Sequence, residues 1–429
     1  MVRPGSPDRS LTSPGRGERG GRLSELDLLR FLAAVAVMLH HFTGVRYYSP
    51  WGDARKVFPE LAPFTSFGYL GVQFFFIISG FVIVMSAWHR TPGEFASSRF
   101  VRLFPAYWFS VALALLIYLG SGLASGYPVS KEGPLTRFLP NLTMLQDGIG
   151  APESESAYWT LWVELHFYAL VALLVWRGVS YRACVIFMAA WLLAGTFAQE
   201  AGDRLLQVLL IPAYAPYFIA GMAFFLVHRY GPNLVMWLLI GACWALGTYS
   251  STHRVSPFVT WPGLDRYVVP AVITAMFALM TLVCLGRMAW LRRWKGLTAL
   301  GGLTYPLYLV HETVSRPVIT ALGPRLGRWS VLGVTIALAV STAWLAHRWV
   351  ERPLQRWMRP RLARALAQIR TGLPRAPVAA AAATPGEPAG PAATEPVPTE
   401  PVPTEPAPTE PAPTEPAPTE PAPTEPVAT

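Results

Sequence analysis

Charge is what this chain has least of. Only 14% of its 429 residues are Asp, Glu, Lys or Arg, while 52% are hydrophobic; an ordinary soluble domain carries about 25% charged residues. That shortage excludes a soluble globular enzyme of the usual kind. Cysteine is nearly absent, with three in the whole chain. Cys184, Cys243 and Cys284 each fall in an apolar stretch, and no two have a redox or metal-ligand spacing. A disulfide scaffold and a zinc module are therefore excluded, no metal site is expected, and each cysteine reads as a small core residue. A secretory leader is not visible either. The first apolar run is too long for a leader's hydrophobic region, contains Asp27 and Arg30, and lacks a small-residue cleavage pattern.

What the chain has in quantity is apolar runs of about 20 residues, the length that crosses a bilayer. About ten are legible, at 26–44, 66–88, 103–124, 158–176, 181–199, 205–227, 233–250, 265–286, 299–321 and 328–350. The expected fold is all-α, a polytopic membrane protein, with tryptophans and tyrosines serving interfaces as well as core. Basic residues collect in the N-terminal tail (Arg3 to Arg22), after the second run (Arg90, Arg99, Arg102), after the eighth (Arg287, Arg292, Arg293, Lys295) and after the tenth (Arg352 to Arg370). The intervening loops carry Asp53 and Glu60, Asp147, Glu153 and Glu155, and Glu200 and Asp203. With ten spans all the basic segments share one side, so both termini are expected in the cytoplasm and the protein in the plasma (inner) membrane. The net charge of +10 is then a topology signal, not a sign of nucleic-acid binding, and the basic patches can touch lipid headgroups.

Four regions follow: a disordered basic N-terminal tail over 1–22, a transmembrane domain over 23–358, a basic juxtamembrane segment over 359–375, and a tail over 376–429. In that tail Thr-Glu-Pro recurs every five residues from Thr394. Such a repeat has no apolar face and is expected to be disordered, with polyproline-II character.

Chemistry must come from polar groups inside the apolar runs, where they are costly and mark function. Arg30 and His41 lie eleven residues apart in LDLLRFLAAVAVMLHHF. On an ideal α-helix they fall within about 20° of one another and about 16 Å apart along the axis, with the small Ala34 and Val37 between. His40 points about 80° away, which favours His41 as the partner of Arg30. Arg99 and Arg102 share a face at the cytoplasmic surface and suit phosphates or simple topology anchoring. Glu164 lies four residues before Tyr168 in WTLWVELHFY, and Tyr308 three before His311 in LTYPLYLVHET. Gly68, Gly71, Ser79 and Gly80 allow a close helix neighbour. Val350-Glu351-Arg352-Pro353 reads as a helix stop.

Taken in order, the Arg30–His41 segment, FFIISGF ending at Phe81, Arg99-x-x-Arg102 with Pro105 and Tyr107, WTLWVELHFY, LTYPLYLVHET and VERPL resemble the acyltransferase 3 family of integral membrane O-acyltransferases over about residues 24–357. Two departures stand out: Leu165-His166 replaces a second acidic residue and Gln, and the repeat tail stands where some members carry an extracytoplasmic hydrolase-like domain.

The resemblance implies transfer of an acyl group, expected to be acetyl, from acyl-CoA to a hydroxyl of a glycan, lipid or small molecule. Acyl-CoA enters as substrate, with no bound cofactor. It implies His41 as general base, Arg30 on the donor's thioester carbonyl or phosphates or polarising the base through a ligand, Arg99 and Arg102 on the CoA phosphates, and Glu164 orienting His41 or the acceptor. His311, Tyr308, Tyr168 and Ser79 are accessory candidates. The rival reading is a transporter or flippase relaying protons through Arg, His and Glu; the absence of a second Arg30–His41 pattern in the other half of the chain weighs against it.

Overall fold

A computed structural model describes residues 23–45, 51–121, 134–253, 265–294 and 296–372. The expected N-terminal tail and Thr-Glu-Pro tail lie outside these residues. The described residues are helical, with no strand. Eleven long helices organise them: α1 Ser24–Leu39, α2 Gly71–Ala87, α3 Pro92–Ser121, α4 Trp159–Arg177, α5 Tyr181–Ala201, α6 Ala215–Tyr230, α7 Leu234–His253, α8 Asp265–Cys284, α9 Gly296–Leu322, α10 Arg328–Leu345 and α11 Arg352–Gly372. Among the described residues nine helices are long and apolar enough to cross a membrane. The ninth expected run is helical but is not one of the nine. Its α9 carries Pro306, His311, Glu312, Arg316 and Pro317, which lower its hydropathy, and it packs inside the protein on α1, α10 and α3.

Glycine sets the closest approaches. A methyl group at Gly221 of α6 would strike the Ile77 carbonyl of α2, and one at Gly80 would strike the Phe218 carbonyl, so these helices meet backbone to backbone. Ring pairs Phe76–Tyr214, Phe81–Phe225 and Trp88–Tyr230 run in step along the contact, making α2 and α6 parallel. Gly71 faces the Ala33 carbonyl and Gly68 that of Ala36, so α2 runs antiparallel to α1. Helices α1 and α9 run parallel, since Gly301 lies against Asp27 while His311 lies against His41. The large α5, α7 and α8 faces expose side chains such as Phe197, Leu193 and Leu238, as lipid-facing helices do. All three cysteines are free and buried.

The structure corrects three boundaries. The second span starts at Ala62, not at 66, through a 3₁₀ turn at Ser66–Leu70. The third span starts at Pro92, not at 103, so Arg99 and Arg102 lie within α3. The tenth helix does not stop at Val350-Glu351-Arg352-Pro353. A π-helical turn over Ala346–Glu351 leads directly into α11. A wider turn accommodates the donor that proline lacks, so the chain stays helical through the motif.

Candidate active site

A cavity of about 390 Å³ lies between α1, α2, α3, α4 and α9. Seven side chains singled out from the sequence line it: Arg30, Ser79, Arg99, Arg102, Glu164, Tyr168 and Tyr308. The fold brings them together from five helices. Glu164 Oε1 accepts hydrogen bonds from Tyr168 Oη at 2.6 Å and Ser79 Oγ at 3.2 Å. These two donors hold the carboxylate at the cavity wall and leave Oε2 without a bond to a described residue. Arg30 makes no ion pair or hydrogen bond within the described residues. Its guanidinium is therefore a cation set among the charged and hydroxyl groups of the cavity wall, with its donors open to a ligand.

Arg99 and Arg102 differ in their commitments. Arg99 donates to Ser98 Oγ at 3.1 Å, and its Nε is buried without a partner. Arg102 is paired with Glu351 at 3.1 Å. Glu351 is fully buried and also meets His347 Nδ1 at 2.7 Å and Gln355 Nε2 at 2.9 Å. The VERP motif, read from sequence as a helix stop, thus supplies the counter-charge of an arginine expected to bind phosphate.

His41 and His311 do not line this cavity. They sit together beyond its Tyr308 end, with ring centroids 5.0 Å apart, and the Tyr308 ring is 5.8 Å from that of His311. Eleven residues of rise, about 16 Å, separate His41 from Arg30 along the helix, and the chain turns π-helical at His40–Gly44. π-turns of this kind recur at functional sites. Tyr308 is tied down at the junction, its hydroxyl 2.8 Å from Thr160 Oγ1.

The hydrogen bonds around the two imidazoles assign their protons. His311 Nδ1 lies 2.6 Å from the Tyr308 carbonyl, an acceptor only, so that nitrogen carries hydrogen. In neutral His311, Nε2 is then a lone pair, and it lies 2.8 Å from His41 Nδ1. His41 must donate there, which leaves His41 Nε2 as the basic nitrogen. Glu312 Oε1 lies 3.7 Å from that nitrogen, placed to stabilise an imidazolium. Ser156 Oγ donates to Glu312 Oε2 at 2.6 Å.

The carboxylate beside His41 is therefore Glu312, and Glu164 serves the cavity. Glu312 is the ionisable group at this site that sequence reasoning passed over. The available signal was a second ionisable residue directly after His311 in an apolar run. His40 is buried, with Nδ1 donating to the Thr65 carbonyl at 3.1 Å.

The loop before α4 brings further acids to this end. Asn141 fixes it, donating to the Pro152 carbonyl at 2.9 Å and accepting from Ser154 N–H at 3.0 Å. Glu155 accepts from Thr313 Oγ1 at 2.9 Å. Burial, then the charges of Asp147 and Glu312, push Glu153 up to about 8.

Residues 23–348 match the sequence model of the acyltransferase 3 family, described as an acyltransferase domain. Similar proteins include the acyltransferase MdmB of Streptomyces mycarofaciens, 26% identical over 78% of this chain and 92% of that protein. Nodulation protein 10 of Rhizobium leguminosarum bv. viciae is 26% identical over 82% of this chain and 99% of its own length. The exopolysaccharide production protein ExoZ of Rhizobium meliloti (strain 1021) is 27% identical over 68% of this chain and 92% of its own length. No solved structure matches the chain.

Proposed function

We propose that this chain, which belongs to the acyltransferase 3 family, moves an acetyl group from acetyl-CoA to a hydroxyl of a cell-surface glycan. Membership makes it an acyltransferase; donor, acceptor and residue roles are our reading. The observation that carries it is the free Nε2 of His41, left basic by the His41–His311–Tyr308 hydrogen-bond order and faced by Glu312.

The donor enters the cavity from the end lined by Arg99, Arg102 and Arg359. Arg30 supplies hydrogen bonds to the donor, and Glu164 Oε2 accepts one from an amide of its arm. The acceptor approaches from the opposite end, where Glu312, Ser156, Glu153 and Glu155 offer oxygens to sugar hydroxyls. His41 Nε2 takes the hydroxyl proton as the oxygen attacks the thioester carbonyl. The new ester C–O bond forms, the C–S bond breaks, and the imidazolium returns the proton to the departing thiolate. Glu312 stabilises that imidazolium between the two transfers.

Orientation belongs to the same reading. Arg90, Arg99, Arg292 and the arginines of α11 lie at the α1 N-terminal end, and the acid-rich loop lies at the other. With the basic end cytoplasmic, both termini are inside, the donor is loaded from the cytoplasm and the acceptor modified outside, across the plasma (inner) membrane. A glycan acceptor accords with the similarity to ExoZ, an exopolysaccharide production protein.

The test is purified protein with acetyl-CoA and envelope polysaccharide from the source cells, read by mass spectrometry of the glycan and by thiol release. Transfer that disappears in His41→Ala supports the reading. Equal transfer by His41→Ala refutes it.

A further inference from the structure

Arg352, Arg356 and Arg359 of α11 take part in no described hydrogen bond or ion pair. They stand at i, i+4 and i+7, so they share one helical face, over about 10 Å of axis. With Gln355 they line a second cavity of about 240 Å³. Arg359 also lines the main cavity, so the small basic cavity adjoins the large one at that side chain. The helix that carries this face is fixed in place. Met358 is buried, Leu366 packs against Gly93 at the start of α3, and Gln355 is held by Glu351. Glu351 spends its charge on Arg102 and His347, so the expected phosphate ligand Arg102 is largely neutralised while the α11 arginines keep their full charge.

We propose that Arg352, Arg356 and Arg359 form the phosphate-binding clamp of the donor. They grip the 3′-phosphate and 5′-diphosphate of the CoA nucleotide while the acyl-bearing arm threads past Arg359 toward Arg30. The inference rests on the acyl-CoA reading and adds the site of its nucleotide. Guanidinium forks meet phosphate oxygens in two-point hydrogen bonds, and three on one helix face provide both charge and register. The same chemistry would also attract anionic lipid headgroups, so the experiment separates the two sources.

The measurement uses full-length protein in a zwitterionic detergent free of anionic lipid. KM and kcat are determined for acetyl-CoA and for acetyl-pantetheine, which lacks the nucleotide. An exposed charge-assisted contact is worth about threefold to tenfold. Arg352→Gln/Arg356→Gln should therefore raise the KM for acetyl-CoA about 10- to 100-fold, with kcat within threefold, and leave the KM for acetyl-pantetheine as in wild type. Adenosine 3′,5′-bisphosphate should compete with acetyl-CoA in wild type and lose that competition in the variant. Raised salt should weaken acetyl-CoA alone.

An unchanged KM for acetyl-CoA, in a wild type that turns it over, overturns the clamp and leaves the acyl-CoA reading standing. A defect equal for both donors and seen only in vesicles containing anionic phospholipid assigns the arginines to the membrane and also overturns it. Failure of wild type to use acetyl-CoA overturns clamp and reading together.

Discussion

Glu312→Gln isolates the charge that the structure places beside His41. The two side chains are nearly isosteric, and the amide oxygen of the variant can still accept the hydrogen bond from Ser156, so packing is conserved and only the carboxylate's charge is lost. Opposite charges separated by the observed 3.7 Å attract by about 4 kcal/mol at an effective dielectric near 20. With the imidazole about half protonated at the transition state, about 2 kcal/mol of that attraction is realised there, or about 30-fold in kcat. An amide N–H turned toward His41 Nε2 would occupy the basic lone pair and deepen the loss. The assay is steady-state thiol release from acetyl-CoA with saturating acceptor, on protein matched for monodispersity. The expected result is a kcat lowered at least 30-fold with the KM for acetyl-CoA within about threefold, because Glu312 lies outside the donor cavity. A kcat within threefold of wild type would refute the proposed role of Glu312 and the proton assignment that leads to it.

Further expectations follow from other parts of the molecule. His41→Ala should lose about 10² to 10⁴ in kcat, whereas His40→Ala, which strands the Thr65 carbonyl, should cost about 1–3 kcal/mol of stability and keep most of the turnover; kinetics and thermal melts of both variants separate these effects. Gly221→Ala should reduce the yield of folded protein sharply and lower its melting temperature, since the added methyl meets the Ile77 backbone and overpacking costs about 1–3 kcal/mol or more. Glu153 should make stability pH-dependent. Its folded value is raised to about 8 from 4.5, so the neutral acid is favoured in the fold, and stability falls as pH rises between those values. Glu153→Gln should therefore melt higher than wild type at pH 8.5, with the difference gone below about pH 4.5. A reporter active only outside the cytoplasm should work when inserted at Gly148 and be silent when fused after Gly372; the reverse pattern would invert the orientation.

Much of the architecture is legible because bilayer solvation writes itself into consecutive residues. A span needs about 20 apolar residues in a row, so the helices α1 to α10, including the less apolar α9, can be read without contacts. Charged groups in such runs are costly enough to stand out singly, and that is how Arg30 and Glu164 declare themselves; Arg99 and Arg102 stand out as a basic pair at the membrane surface, and Ser79, Tyr168 and Tyr308 through the motifs that hold them, before the fold gathers all seven around one cavity. What cannot be read is which group answers which. Arg102 finds Glu351 across 249 positions of sequence, and His41 finds His311 and Glu312 across about 270. Those pairings depend on how glycine contacts dock α2 onto α1 and α6, and on α9 lying parallel to α1. They depend also on two π-turns: one holds His41, and the other carries the chain through Pro353 into α11. Periodicity within one helix determines a face. Only the packing of distant segments decides what that face meets, because the energies that choose partners are contacts between residues that the chain itself keeps apart.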